Sequence, residues 1–152
     1  MTRLTTLILT AVVAVGGTAG IAVAAYSKPT KPAKITVRST KLGKVLVNGS
    51  GVTLYLFEKD RHGKSACSGA CAVNWPPVLT KGKPKGTRGV AAGKLGTTKR
   101  ADGTTQVTYN GHPLYTFILD HKKPGSTAGE GVNAFGAKWY VLGTNGKKID
   151  KD

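Results

Sequence analysis

The sequence predicts an all-β fold, with two repeats of β-hairpins packed into one small sheet or barrel-like domain behind an N-terminal signal or anchor helix. Three observations predict it. The segment Leu54-Tyr55-Leu56-Phe57-Glu58-Lys59-Asp60 recurs sixty residues later as Leu114-Tyr115-Thr116-Phe117-Ile118-Leu119-Asp120, with Leu, Tyr, Phe and Asp at the same offsets. A repeat of this kind sets the architecture before any single element is assigned. Strand-like runs bounded by turn residues follow one another about every 8–12 residues, the spacing of all-β domains. Outside the N-terminal segment there is no sustained 3.6-residue periodicity.

The elements follow in order. Leu4 to Ala25 is apolar or small throughout, preceded by Arg3 and closing on Ala22-Val23-Ala24-Ala25. That pattern reads as a secretory signal peptide over residues 1–25, cleaved after Ala24 or Ala25. The rival reading is an uncleaved anchor, because about 20 apolar residues span a bilayer. Residues 26–44 carry Pro29, Pro32, five lysines and an arginine, and read as a flexible basic linker unable to bury enough surface to order itself. An all-β domain then occupies 45–150, with repeat one at 45–80 and repeat two at 105–143.

In repeat one, Val45-Leu46-Val47 and Val52 to Phe57 read as strands joined through Asn48-Gly49, residues that tolerate the positive φ of hairpin turns. Leu54 and Leu56 point to one face and Tyr55 and Phe57 to the other, so both faces are expected to be covered. Ser65 to Asn74 reads as one irregular helical turn. Trp75-Pro76-Pro77-Val78-Leu79 must be extended, since paired prolines permit little else. Residues 80–93 are a Gly/Lys/Pro linker with room for one short strand at its end. Leu95–Lys99 and Thr104–Tyr109 form a hairpin about Asp102-Gly103, and repeat two runs on to Lys138–Leu142, a Thr144-Asn145-Gly146 turn and Lys147–Ile149. Of ten aromatic residues, nine lie inside the repeats, which marks them as the core, at roughly 150–250 Å² of burial each.

Charge bounds the partners. From Tyr26 onward there are 22 Lys and Arg (the chain's 23 less Arg3) against seven acids. So much positive charge attracts polyanions, here an anionic envelope polymer or lipid surface. It sits in loop-like tracts, with no recognition helix or aromatic-basic interleaving, so nucleic acid is not expected. The protein partner is unspecified by the sequence.

Tyr-x-Phe-x-x-Asp occurring twice, Cys67-x-Gly69-x-Cys71-Ala72 leading into Trp75-Pro76-Pro77, and Pro124-Gly125…Gly129-Glu130-Gly131…Trp139-Tyr140 together resemble a bacterial secreted-repeat family of predicted lipoproteins with a Yx(F/W/Y)xxD motif. The resemblance covers residues 45–143. It implies a secreted or envelope-attached protein and assigns no chemistry. This chain lacks the cysteine behind the apolar run that lipidation requires.

The repeat-motif residues Tyr55, Phe57, Asp60, Trp75, Tyr115, Phe117, Asp120 and Trp139 read as packing groups. Asp60 and Asp120, just past a strand, are placed to accept hydrogen bonds from turn amides. Cys67 and Cys71 are the only cysteines, and outside the cytoplasm they read as a structural disulfide. The alternative is redox or copper handling, with Cys67, Cys71, His62 and His121 as soft ligands. Two Asp/His pairs converging about a pseudo-twofold axis are a weaker form of the same idea. No phosphate loop, zinc-protease helix or nucleophile elbow is present, so a non-enzymatic binding or structural module without cofactor is expected.

Overall fold

The structure is a computed structural model that describes residues 27–151; the expected signal or anchor segment lies outside them. Among the described residues no helix is long and apolar enough to cross a membrane. Among the described residues nine short strands form three three-stranded sheets. The fold is all-β as expected, in three small sheets joined by single bridges such as Val45–Gly143 and Tyr55–Tyr115, without a closed barrel.

β1 (Lys34–Thr40) pairs antiparallel with β2 (Gly43–Asn48). This corrects the reading of 26–44 as a linker. Ile35-Thr36-Val37 is a β-branched run with Ile35 buried and Thr36 and Val37 half-buried, and such side chains favour a pleated, half-buried surface. The lysines around it carry their charge into solvent and conceal the strand. The body begins earlier still, since Lys81 donates to the Lys31 carbonyl and the Ala33 amide to Thr80 Oγ1. Residues 80–93 are likewise not pure linker, because β4 (Lys85–Gly86) lies parallel to β1.

The Asn48 side chain organises the turn after β2, accepting from the amides of Ser50 and Val52 at 2.9 and 3.0 Å. The chain folds back as expected, with Leu54 N–H donating to Leu46 O. It then leaves its own hairpin, and β3 (Tyr55–Phe57) pairs with β9 (Ala137–Val141) from the far end of the chain. Alternation along this segment divides two cores. Tyr55 and Phe57 face a cluster with Trp75, Tyr115, Phe117 and Trp139, whereas Leu54 and Leu56 face one with Ile35, Leu46, Val107 and Leu114.

In the second half, β5 (Leu95–Lys99) and β6 (Thr105–Tyr109) make the expected hairpin about Asp102-Gly103, followed by β7 (His112–Pro113). β8 (Asn133–Ala134) and β9 close the chain. The one α-helix among the described residues, α1 (Ala70–Asn74), is a single turn beside the Cys67–Cys71 pair. Phe135 is an exception to the aromatic core: it sits at the β8–β9 tip and is exposed.

A pseudo-twofold axis relates the halves. At its centre Tyr55 and Tyr115 exchange both backbone hydrogen bonds, at 2.9 and 3.0 Å. Around it a pattern occurs twice: Leu54 N–H donates to Leu46 O while Leu142 bonds both residues, and Leu114 N–H donates to Val107 O while Val78 bonds both. The strand carrying each Trp is therefore delivered to the opposite repeat.

Candidate functional site: the crossed clasp and its two grooves

The exchange of strands forces an exchange of side chains. Phe57, Trp139, Trp75 and Phe117 form a column of four rings, each centroid 4.0 Å from the next. Each Phe thus stacks on the Trp of the other repeat. Each Tyr meets the Trp of its own repeat edge-on, Tyr55 on Trp75 at 5.4 Å and Tyr115 on Trp139 at 5.1 Å. Both arrangements bring the positive ring edge or an offset face against a negative ring face, the favoured geometries for aromatic pairs.

The tyrosine hydroxyls then reach past the column to the aspartate of the opposite repeat. Tyr55 donates to Asp120 Oδ2 at 2.7 Å, and Tyr115 donates to Asp60 Oδ2 at 2.8 Å. The second oxygen of each carboxylate holds a loop: Asp120 Oδ1 accepts from Ser126 Oγ and the Ala128 amide, and Asp60 Oδ1 from the Ala66 amide. The turn amides are those the sequence position suggested; the crossed tyrosines are additional. Burial first, and then the neighbouring carboxylate, hold both phenols well above the ordinary tyrosine range, so they remain hydrogen-bond donors.

The two ends of the clasp differ. Asp120 is fully buried, whereas Asp60 is half-buried at the edge of a groove. Burial pushes the Asp60 carboxyl up to about 6, against the opposite pull of the Ala66 amide, the Tyr115 hydroxyl and the Arg100 and Arg61 guanidiniums. Arg100 belongs to this end. Its buried head donates to Ser65 Oγ, Gln106 Oε1 and the Cys67 carbonyl at 2.8–2.9 Å, with Nε 3.7 Å from Asp102. Gln106 is fully buried and donates to Leu114 O. Sequence reasoning missed both, because an arginine in a basic chain resembles solvated charge. The signal is their place in the β5–β6 hairpin, where Arg100 directly follows β5 and Gln106 lies within β6.

Cys67 and Cys71 form a disulfide and are both buried, and Arg100 holds the Cys67 carbonyl behind it. The sulfurs are bonded to each other, so thiolate ligation would first require reduction. His62 and His121 are exposed and do not join them. Both take left-handed backbone, with φ of 52° and 49°, a region in which His is several-fold enriched among non-glycine residues. They turn the chain out of the motif. The expected convergence of two Asp/His pairs is not found, because the carboxylates are turned to the tyrosines. Among the described residues no three His, Cys, Asp or Glu side chains come together in a way that could hold a metal ion.

Two grooves lie at matching places about the pseudo-twofold. One, of about 630 Å³, is lined by Phe57, Glu58, Asp60, Arg61, Asn110 and His112 among others. The other, of about 550 Å³, is lined by Asn48, Val52, Phe117, Ile118, His121 and Lys122 among others. Each runs between the Asn-Gly turn of one repeat and the motif strand of the other. The first carries carboxylates and the half-buried His112, which burial holds below the usual imidazole range. The second has no acidic residue in its lining.

No curated protein and no solved structure matches this chain. A family profile described as "secreted repeat of unknown function" matches it twice, over residues 36–79 and 96–142. The matches begin about nine residues before the expected repeats, at β1 and β5, so each repeat includes the hairpin that precedes its motif. With both repeats matched and each completing the other, the chain belongs to the family of secreted repeats of unknown function.

Proposed function

We propose that this extracytoplasmic protein is a non-enzymatic binding module that attaches to polyanionic components of the cell envelope. The observation that carries the reading is the inward use of the repeat motif. Tyr55, Phe57, Trp75, Tyr115, Phe117, Asp120 and Trp139 are all buried, and the motif hydroxyls and carboxylates are bonded to one another or to loops. The shared residues build a scaffold, and chemistry is left to what the scaffold exposes.

What it exposes is cationic. Of seven acids, Asp60 and Asp120 are tied into the clasp, Asp102 faces Arg100, and Glu58 and Asp150 pair with Lys148. Exposed Lys28, Lys31, Lys81, Lys83, Lys85 and Arg88 belong to the tracts of highest positive charge. Individually such pairs with an anion are weak, but many acting together give a strong, salt-sensitive attraction.

The test is retention on isolated envelopes as salt is raised. Exposed charges separated by more than a Debye length, about 10 Å at 0.1 M and 3 Å at 1 M, are screened from one another. Binding is expected to fall by about tenfold or more across that range. Retention that does not respond to ionic strength would exclude attachment through exposed lysines.

A further inference from the structure

We propose that an apolar tip, formed by Val73 on α1 of repeat one and by Ile118 and Leu119 beyond Phe117 in repeat two, docks on an anionic lipid bilayer. Of the four large apolar side chains that the described residues expose, these are three, at 43 %, 48 % and 56 %. The elements that carry them are neighbours, α1 lying beside the 3-10 turn Ile118–Asp120. Single exposed apolar residues need no explanation, but three on two neighbouring elements of a small domain do.

The pseudo-twofold supplies the control. Glu58-Lys59 in repeat one occupies the positions of Ile118-Leu119 in repeat two. Both turns open with the same backbone bond: the Asp60 amide donates to Phe57 O at 3.1 Å, and the Asp120 amide to Phe117 O at 3.2 Å. One turn tolerates a charged pair, so the fold does not require the apolar pair. Something outside the fold accounts for Ile118 and Leu119.

The surroundings identify the occupant. His121, Lys122 and Lys123 follow directly and are exposed. His121 and Lys122 line the same groove as Ile118, with Val52, Pro76 and Phe117. Exposed apolar side chains beside exposed lysines suit an interface whose headgroups are anionic and whose interior is hydrocarbon. A hydrophilic polyanion would satisfy the lysines and leave Ile118 and Leu119 in water. A second copy of this chain would bring like charge, +16 on each full chain, against itself.

This inference rests on the polyanion reading and narrows it to one face and one partner. The test uses protein recovered from culture medium, as the exporting cell processes it. Partitioning is measured onto phosphatidylglycerol-containing vesicles and onto pure phosphatidylcholine vesicles, with soluble polyglutamate as a charge-only probe. Ile118→Glu combined with Leu119→Lys copies repeat one and leaves net charge unchanged. It is expected to weaken binding to anionic vesicles by about tenfold or more and to leave polyglutamate binding as it was. Lys122→Gln is expected to cost about fivefold on the same vesicles. Leu119→Trp should keep binding, and its emission should shift to the blue on anionic vesicles only. Equal vesicle binding by the Glu/Lys variant and the parent, or an emission unmoved by vesicles, would overturn the assignment while the polyanion reading stood. If the apolar pair instead governs self-association in sedimentation, the face is a homodimer contact and the bilayer is the wrong occupant. Failure of the unmodified protein to bind either anionic probe would remove both readings.

Discussion

Tyr55 and Tyr115 occupy the same place in the two motifs, yet removing their hydroxyls is expected to cost different amounts. In Tyr55→Phe, the buried Asp120 carboxylate loses its 2.7 Å donor, and the Gly129 amide, 3.2 Å from the hydroxyl, loses its acceptor. A hydrogen bond to a charged group is worth about 1.5–3 kcal/mol, and a buried polar group left unpaired costs about 1–3 kcal/mol. Asp120 keeps Ser126 and Ala128, so the total falls at about 2–4 kcal/mol. In Tyr115→Phe, Asp60 is half-buried at the edge of its groove, so water replaces part of what is lost and about 1–2 kcal/mol is expected. The assay is urea unfolding followed by tryptophan emission, because Trp75 and Trp139 sit in the ring column. Domains of this size are stable by about 5–15 kcal/mol, so both variants should fold. A double-mutant cycle of Tyr55→Phe with Asp120→Asn should give a coupling of about 1 kcal/mol or more. Equal costs for the two tyrosines, or a cycle with no coupling, would refute the claim that the clasp is a fully buried, charge-assisted bond at one end and a half-buried one at the other.

Three further outcomes follow from the same geometry. Reducing the Cys67–Cys71 bond, or replacing both cysteines by Ala, should lower stability by only about 2 kcal/mol, since the closed loop is short; urea midpoints with and without reductant check it, and outright unfolding would contradict it. Gly129→Ala places a Cβ 2.8 Å from both Trp75 and Tyr55 ring carbons, an overpacking expected to cost about 1–3 kcal/mol or more and visible as a drop in Tm. Asp60, with its carboxyl raised to about 6, binds its proton more tightly in the folded state than in the unfolded chain. Its contribution to stability is therefore full below about pH 4, the ordinary carboxyl value, and is lost as pH rises through about 6. His112, held low by burial, acts in the opposite sense on acidification, so the informative quantity is the difference between parent and Asp60→Asn at pH 4.5 and 7.5. An unchanged pH profile in that variant would contradict the assignment.

Local features were legible in the sequence where local physics decides them. The alternation at Leu54-Tyr55-Leu56-Phe57 correctly separates two interiors, and Asp102-Gly103 marks its hairpin because few other residues accept that backbone. The strand at Lys34–Thr40 was obscured by its own lysines. The sixty-residue offset that aligns the motifs also aligns Ile35–Ser39 with Leu95–Lys99, and would have exposed it. The crossing of the repeats could not be read locally. Tyr55 is equally suited to bond Asp60 or Asp120, and only the delivery of β9 to β3 decides between them. Arg100 and Gln106 were hidden for a similar reason, since a buried polar network depends on partners far away in the chain.

The pairing of β3 with β9 has a consequence for how the molecule matures outside the cell. A polypeptide threaded through a translocation pore with its N-terminus leading presents Tyr55 and Phe57 long before Trp139 to Leu142 have emerged. The leading half must wait, unlatched and exposed to proteases, until the trailing strand arrives to lock it. A nonsense lesion near residue 137 would accordingly unravel the part of the protein made first, while Leu95 to Tyr115 would still have Trp75 to Leu79 at hand.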